Sequence, residues 1–75
     1  EPLLVAVEPG EKETKLVSHP GQEFNYVLEG KIGFIFEKKR VVLSPGDSVY
    51  FNPAHPHGQR AYGDKPAKFL TVIAQ

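Results

Sequence analysis

The sequence predicts an all-β domain, an antiparallel sandwich or barrel with little or no helix. Short β-prone runs recur about every eight to ten residues, with Gly- or Pro-bearing turns between them. No segment keeps an apolar stripe of period 3.6 over about ten residues, which a packed helix needs. Evenly spaced short strands with turns between them suit a closed or doubled sheet.

Leu3 to Val7 opens the chain as an apolar run closed by Pro9-Gly10, and Thr14 to Ser18 follows, closed by Pro20-Gly21. Glu23 to Leu28 alternates polar with large apolar residues. After Glu29-Gly30 the alternation resumes from Lys31 to Glu37 through Ile32, Phe34 and Phe36. Glycine supplies the positive φ of a tight turn, so Glu29-Gly30 is expected to join these two runs as a hairpin. Lys38-Lys39 is expected as the next turn, before a short strand from Arg40 to Leu43 and the stop Ser44-Pro45-Gly46. Asp47 to Phe51, His57 to Tyr62 and Ala67 to Ala74 bring the total to about eight strands.

At 75 residues and 8.3 kDa the chain is expected to be a single domain over 1–75. A domain of this size buries only about 60–65% of the surface its unfolded chain exposes, and many such domains need a staple. There is no cysteine, so neither disulfides nor a thiolate metal site can serve. A metal held by His and carboxylate, or a partner subunit, remains. Nine basic residues balance nine acidic ones, which argues against a grip on nucleic acid or an anionic membrane. Lys38-Lys39-Arg40 reads as a solvated hairpin tip. No apolar run approaches the ~18–20 residues of a membrane span and no secretory leader is evident, so the cytoplasm is the expected location. The chain opens at Glu1 without a methionine, as expected of a piece excised from a longer protein or trimmed at its start.

In a pleated strand Glu23, Asn25 and Val27 share one face, and Phe24, Tyr26 and Leu28 share the other. Neither face is uniformly polar, and Leu3 to Val7 carries the same apolar excess. Side chains of this kind contribute about 1.5–3 kcal/mol each when buried. A homodimer is therefore expected.

Three histidines, His19, His55 and His57, are the candidate ligands, with Glu23 the carboxylate nearest to one of them. Two imidazoles and a carboxylate on facing strand ends meet the requirement of a facial metal site with open positions. Fe, Zn, Ni or Cu suits the imidazoles, and the carboxylate admits Mn. The same residues also suit ordinary hydrogen bonds in a polar pocket. Parity adds Asn25 and Val27 to the face of Glu23, and Gln59 to that of His57. Asn25 and Gln59 offer neutral donors and acceptors to a carbonyl, amide or hydroxyl. Phe34, Phe36, Tyr50, Phe51 and Phe69 read as core.

Ser18-His19-Pro20-Gly21-Gln22-Glu23-Phe24-Asn25-Tyr26-Val27-Leu28-Glu29-Gly30 resembles the first motif of the cupin family, and Pro45 to His57 resembles the second. His19, Glu23 and Gly30 fit the second His, the Glu and the Gly of motif one. Gly46 and His57 fit the ends of motif two, while Asn52 and Ala54 replace its inner Pro and Gly. The resemblance implies a small jelly-roll barrel with a pocket between its sheets. The family's first metal histidine falls on Val17, which cannot ligate. That leaves His19, Glu23 and His57, either as a weaker site for Fe, Mn, Zn or Ni or as the wall of an unmetallated pocket.

The wording around His19 to Gly30 and Pro56-His57-Gly58 also resembles the C-terminal sensor domain of xenobiotic-response-element-type helix-turn-helix regulators. That resemblance implies a cupin that binds a small-molecule effector and supports dimerisation, without touching DNA itself. We place this reading first. The second is a stand-alone metal-dependent enzyme of dioxygenase, isomerase or decarboxylase type, with His19, Glu23 and His57 as ligands and His55 or Tyr50 for acid–base work. A structural dimerisation module is the third. Asn25, Gln59, His55 and Tyr50 are the residues expected to contact a ligand.

Overall fold

The computed structural model describes residues 2–10 and 15–75. Among these described residues seven strands follow in chain order: β1 (Pro2–Val7), β2 (Gln22–Glu29), β3 (Ile32–Phe36), β4 (Lys39–Leu43), β5 (Ser48–Phe51), β6 (His57–Ala61) and β7 (Ala67–Ala74). They build two antiparallel sheets, one in the order β1-β7-β2-β5 and the other in the order β4-β3-β6. The described residues hold no helix, and so none long and apolar enough to cross a membrane. The all-β antiparallel expectation holds, with one strand fewer. Of the run expected from Thr14 to Ser18, Val17 makes a lone bridge to His57, and Thr14 lies outside the described residues.

Two turn expectations are corrected. Glu29-Gly30 does not close a hairpin, because β2 and β3 belong to different sheets and the chain passes from one sheet to the other between them. Gly30 sits at φ +70°, and a Cβ there would strike the Pro66 carbonyl oxygen and lie 2.9 Å from the Ala67 Cα. Its lack of a side chain serves that close approach rather than a hairpin. The β3–β4 hairpin turns at Glu37-Lys38, since Lys39 is already paired with Phe36. Glu37 takes φ +55°, a conformation L side chains seldom adopt.

Alternation sorts the strands into an interior and an exterior. Glu23 lies opposite Phe51 and Ile73, Asn25 opposite Val49 and Thr71, and Val27 opposite Phe69. Directly opposed residues share a face, so all of these line the interior. Ile32, Phe34, Leu43 and Ala61 meet them from the smaller sheet. Phe36 is only partly buried at the edge of this core. Tyr50, expected in the core, is 65% exposed, because Phe51 beside it takes the inward position on β5.

The outer face of the larger sheet is apolar across all four strands. Leu4 pairs with Leu70, Leu70 with Tyr26, Val72 with Phe24, and Phe24 with Tyr50. Each of these side chains is at least 36% exposed. The Lys68–Glu29 ion pair (3.9 Å) is set where β7 meets the end of β2. We propose that a second copy of the chain covers this face, since an uncharged apolar patch can pair with itself about a two-fold axis. Sedimentation at micromolar concentration is expected to give a mass near twice 8.3 kDa, and Tyr26→Asp is expected to shift it to the monomer. Gly30→Ala is expected to cost at least about 1–3 kcal/mol in urea unfolding, from the strain at positive φ together with the clash of its Cβ against the backbone of Pro66 and Ala67.

Candidate metal centre

The segment before β2 is clamped to the start of β6. Val17 N–H donates to the His57 carbonyl (2.9 Å), His57 N–H returns the bond to the Val17 carbonyl (3.0 Å), and His19 N–H donates to the Pro53 carbonyl (2.9 Å). These bonds set the His19 ring edge-on to the His57 ring, with centroids 5.2 Å apart. Glu23 arrives from the second position of β2, where the pleat points it inward at 5% exposure, and His57 is buried at 1%. The structure thus brings His19, Glu23 and His57 together, with one ligand atom from each within 4.8 Å of the others.

The imidazole tautomers follow from their partners. A carbonyl oxygen can only accept, so Nδ1–H of His57 donates to the His55 carbonyl (2.9 Å), and Nδ1–H of His19 donates to the Pro20 carbonyl (3.1 Å). In the neutral rings both Nε2 atoms then carry lone pairs. They face one carboxylate oxygen, Glu23 Oε1, at 2.9 Å from His19 and 3.4 Å from His57. Three lone-pair donors converging on one point repel one another unless a cation lies between them. A single proton can bridge two of the three atoms, whereas a divalent ion can bind all three. The donor set fits a metal of the kind served by two imidazoles and a carboxylate.

The other carboxylate oxygen is held separately. Glu23 Oε2 accepts from Gln59 Nε2 (3.3 Å) on β6 and from Thr71 Oγ1 (3.4 Å) on β7. Gln59, expected to meet a ligand, is therefore engaged in orienting Glu23. Thr71 escaped the sequence reading. Its parity within β7 was legible, but the register that sets it against β2 was not.

Asn25 lies one step further along the inner face of β2, 2% exposed, and both its amide atoms are buried without a partner. The side chains of His55 and Tyr50 stand apart from this cluster. His55 is half-exposed, with Nδ1 2.9 Å from Glu37 Oε1 and its ring edge-on to Phe36. What it gives the cluster is its backbone carbonyl. Tyr50 lies on the outer face of β5, and Phe51 packs against the His57 ring with centroids 4.8 Å apart.

A family model described as "Cupin domain" matches residues 3–73. The chain is a cupin. This places the two-sheet architecture in the jelly-roll barrel family that the motifs resembled. The cupin is 36% identical over 58 residues to the dimethylsulfoniopropionate lyase DddQ of Ruegeria pomeroyi, covering 73% of this chain and 26% of the lyase. It superposes on hydroxypropylphosphonic acid epoxidase from S. wedmorenis at a TM-score of 0.87 and 33% identity, covering 96% of this chain and 41% of that one. A structure of Fe(II) HppE with its substrate matches at 0.86 and 34%, covering 96% and 44%. The cupin thus spans about a quarter of the lyase and less than half of the epoxidase.

Asn25 provides a test of the interior. Buried polar atoms without partners cost about 1–3 kcal/mol, so Asn25→Leu, which keeps the branched shape and removes both polar atoms, is expected to raise the stability of the ligand-free protein by that order. The urea midpoint measures it, and a fall would mean that Asn25 is satisfied in solution.

Proposed function

We propose that this cupin binds one divalent metal ion through His19 Nε2, His57 Nε2 and Glu23 Oε1, and is the metal-binding part of an enzyme acting on a small molecule. The observation that carries the reading is the convergence of three lone-pair donors, with both Nδ1–H groups already committed to backbone carbonyls. A sensor needs no such donor set, so the geometry favours the enzyme over the sensor expectation. The similarity to a lyase and to Fe(II) HppE supports it.

The metal would supply Lewis-acid or redox chemistry, with coordination positions left open for a substrate oxygen or water. The protein's own groups have separable tasks. The carbonyls of Pro20 and His55 fix the two ring orientations, so each Nε2 lone pair points at Glu23. Gln59 and Thr71 hold Glu23 Oε2 and leave Oε1 free to ligate. Phe51 and the buried strand faces keep bulk water from the His57 side. Asn25 presents its NH2 as donor and its carbonyl oxygen as acceptor to neutral polar groups of the substrate.

Calorimetric titration of EDTA-treated protein with Fe²⁺ (anaerobically), Mn²⁺, Ni²⁺ and Zn²⁺ tests the reading. One ion per chain is expected, with a thermal stabilisation of about 2.7 kcal/mol at a hundred times Kd. His19→Ala, at the more exposed ligand, is expected to abolish uptake while the fold survives. Gln59→Leu and Thr71→Val are each expected to weaken uptake by about 10–100-fold, as loss of groups that orient a ligand does. Unaltered uptake in His19→Ala would overturn the assignment.

A further inference from the structure

The two sheets do not close on each other along one side. Between their edge strands, β4 and β5, lies a cleft of about 500 Å³, within the range of small-molecule sites. Its walls are largely apolar, with Phe34, Phe36 and Val41 from the smaller sheet and Val49 and Phe51 from β5 of the larger one. Phe36 and Phe51 meet edge-on, with centroids 5.7 Å apart, and Phe51 continues to His57 at the candidate metal centre. A flat body in this cleft would therefore rest against the ring that shields the centre.

Lys39 lines the same cleft. The basic triplet looked like a solvated hairpin tip, but the register separates its members. Lys39 pairs with Phe36 and shares its inward side, whereas Arg40 pairs with Ile35 and takes the opposite side. Among the described residues, no acidic side chain lines the cleft. The two carboxylates nearest in sequence are engaged elsewhere, Glu37 with His55 (2.9 Å) and Asp47 with the Ser44 N–H (2.8 Å). An ammonium at the rim of an apolar slot, with no counter-charge lining that slot among the described residues, selects for negative charge.

We infer that the β4–β5 cleft receives a small amphiphilic organic anion, its flat apolar body against the Phe34–Phe36–Phe51 ring cluster and its single acidic group at Lys39. The inference rests on the metal-centre reading only in making this anion the substrate. Binding in the cleft itself needs no metal.

Titration of ¹⁵N-labelled, EDTA-treated protein with 3-phenylpropionate and with 3-phenylpropionamide, followed by NMR, tests it. The acid is expected to move the resonances of Val41, Val49 and Phe51 saturably, and to bind about three- to tenfold tighter than the amide. The sign is diagnostic, because an apolar slot without the ammonium would favour the neutral amide. Lys39→Gln is expected to remove the preference, and Lys38→Gln to leave it in place. An amide bound as tightly as the acid, a preference that survives Lys39→Gln, or shifts confined to other surfaces would each overturn the inference. Because the protein is metal-free, failure of the metal reading leaves this outcome unchanged.

Discussion

A carboxylate taken out of water must be met by donors or by a cation, and the burial of Glu23 organises much of this small barrel. Four parts of the chain converge on it: the loop carrying His19, the start of β6 with His57, the next inward position of β6 with Gln59, and β7 with Thr71. Leaving such a group unpaired costs several kcal/mol, a large share of what a domain of 75 residues can muster. The two sheets are therefore tied together at this end by polar contacts, while Val27, Ile32 and Phe69 pack the other end without them.

The same alternation that buries Glu23 leaves Phe24, Tyr26 and Leu28 outside. A strand with work on both faces has no freedom of register, because a slip of one residue would exchange the carboxylate for an aromatic ring. The bulge between Val27 and Glu29 comes only after the inward positions are set. From there the chain leaves the larger sheet and passes Gly30 beneath Pro66. Site, apolar outer face and crossover thus follow from one eight-residue strand.

The candidate centre and the cleft share a wall in Phe51, although they draw on different parts of the chain. The centre depends on the backbone clamp between Val17 and His57 and on two carbonyls that fix ring tautomers. The cleft exists because β4 and β5, adjacent in sequence, end on the edges of opposite sheets. The family's first ligand position is Val17, and here that residue contributes through its backbone, holding His57 in place.

Much was legible in the residues themselves. Alternation in Glu23 to Leu28 decided which side chains turn inward, and Pro- and Gly-bearing stops decided where most strands end, because both depend on local backbone geometry. The motif spacing singled out His19, Glu23 and His57. The hairpin expected at Glu29-Gly30 was wrong for a reason no local pattern contains: a glycine turn reads alike whether the next strand pairs back or crosses to another sheet. Register with distant strands was equally hidden, so Thr71, the commitment of Gln59 to Glu23, the outward position of Tyr50 and the inward side of Lys39 emerged only from the tertiary structure. Periodicity fixes the face a residue occupies; the long-range pairing of strands decides what stands opposite it.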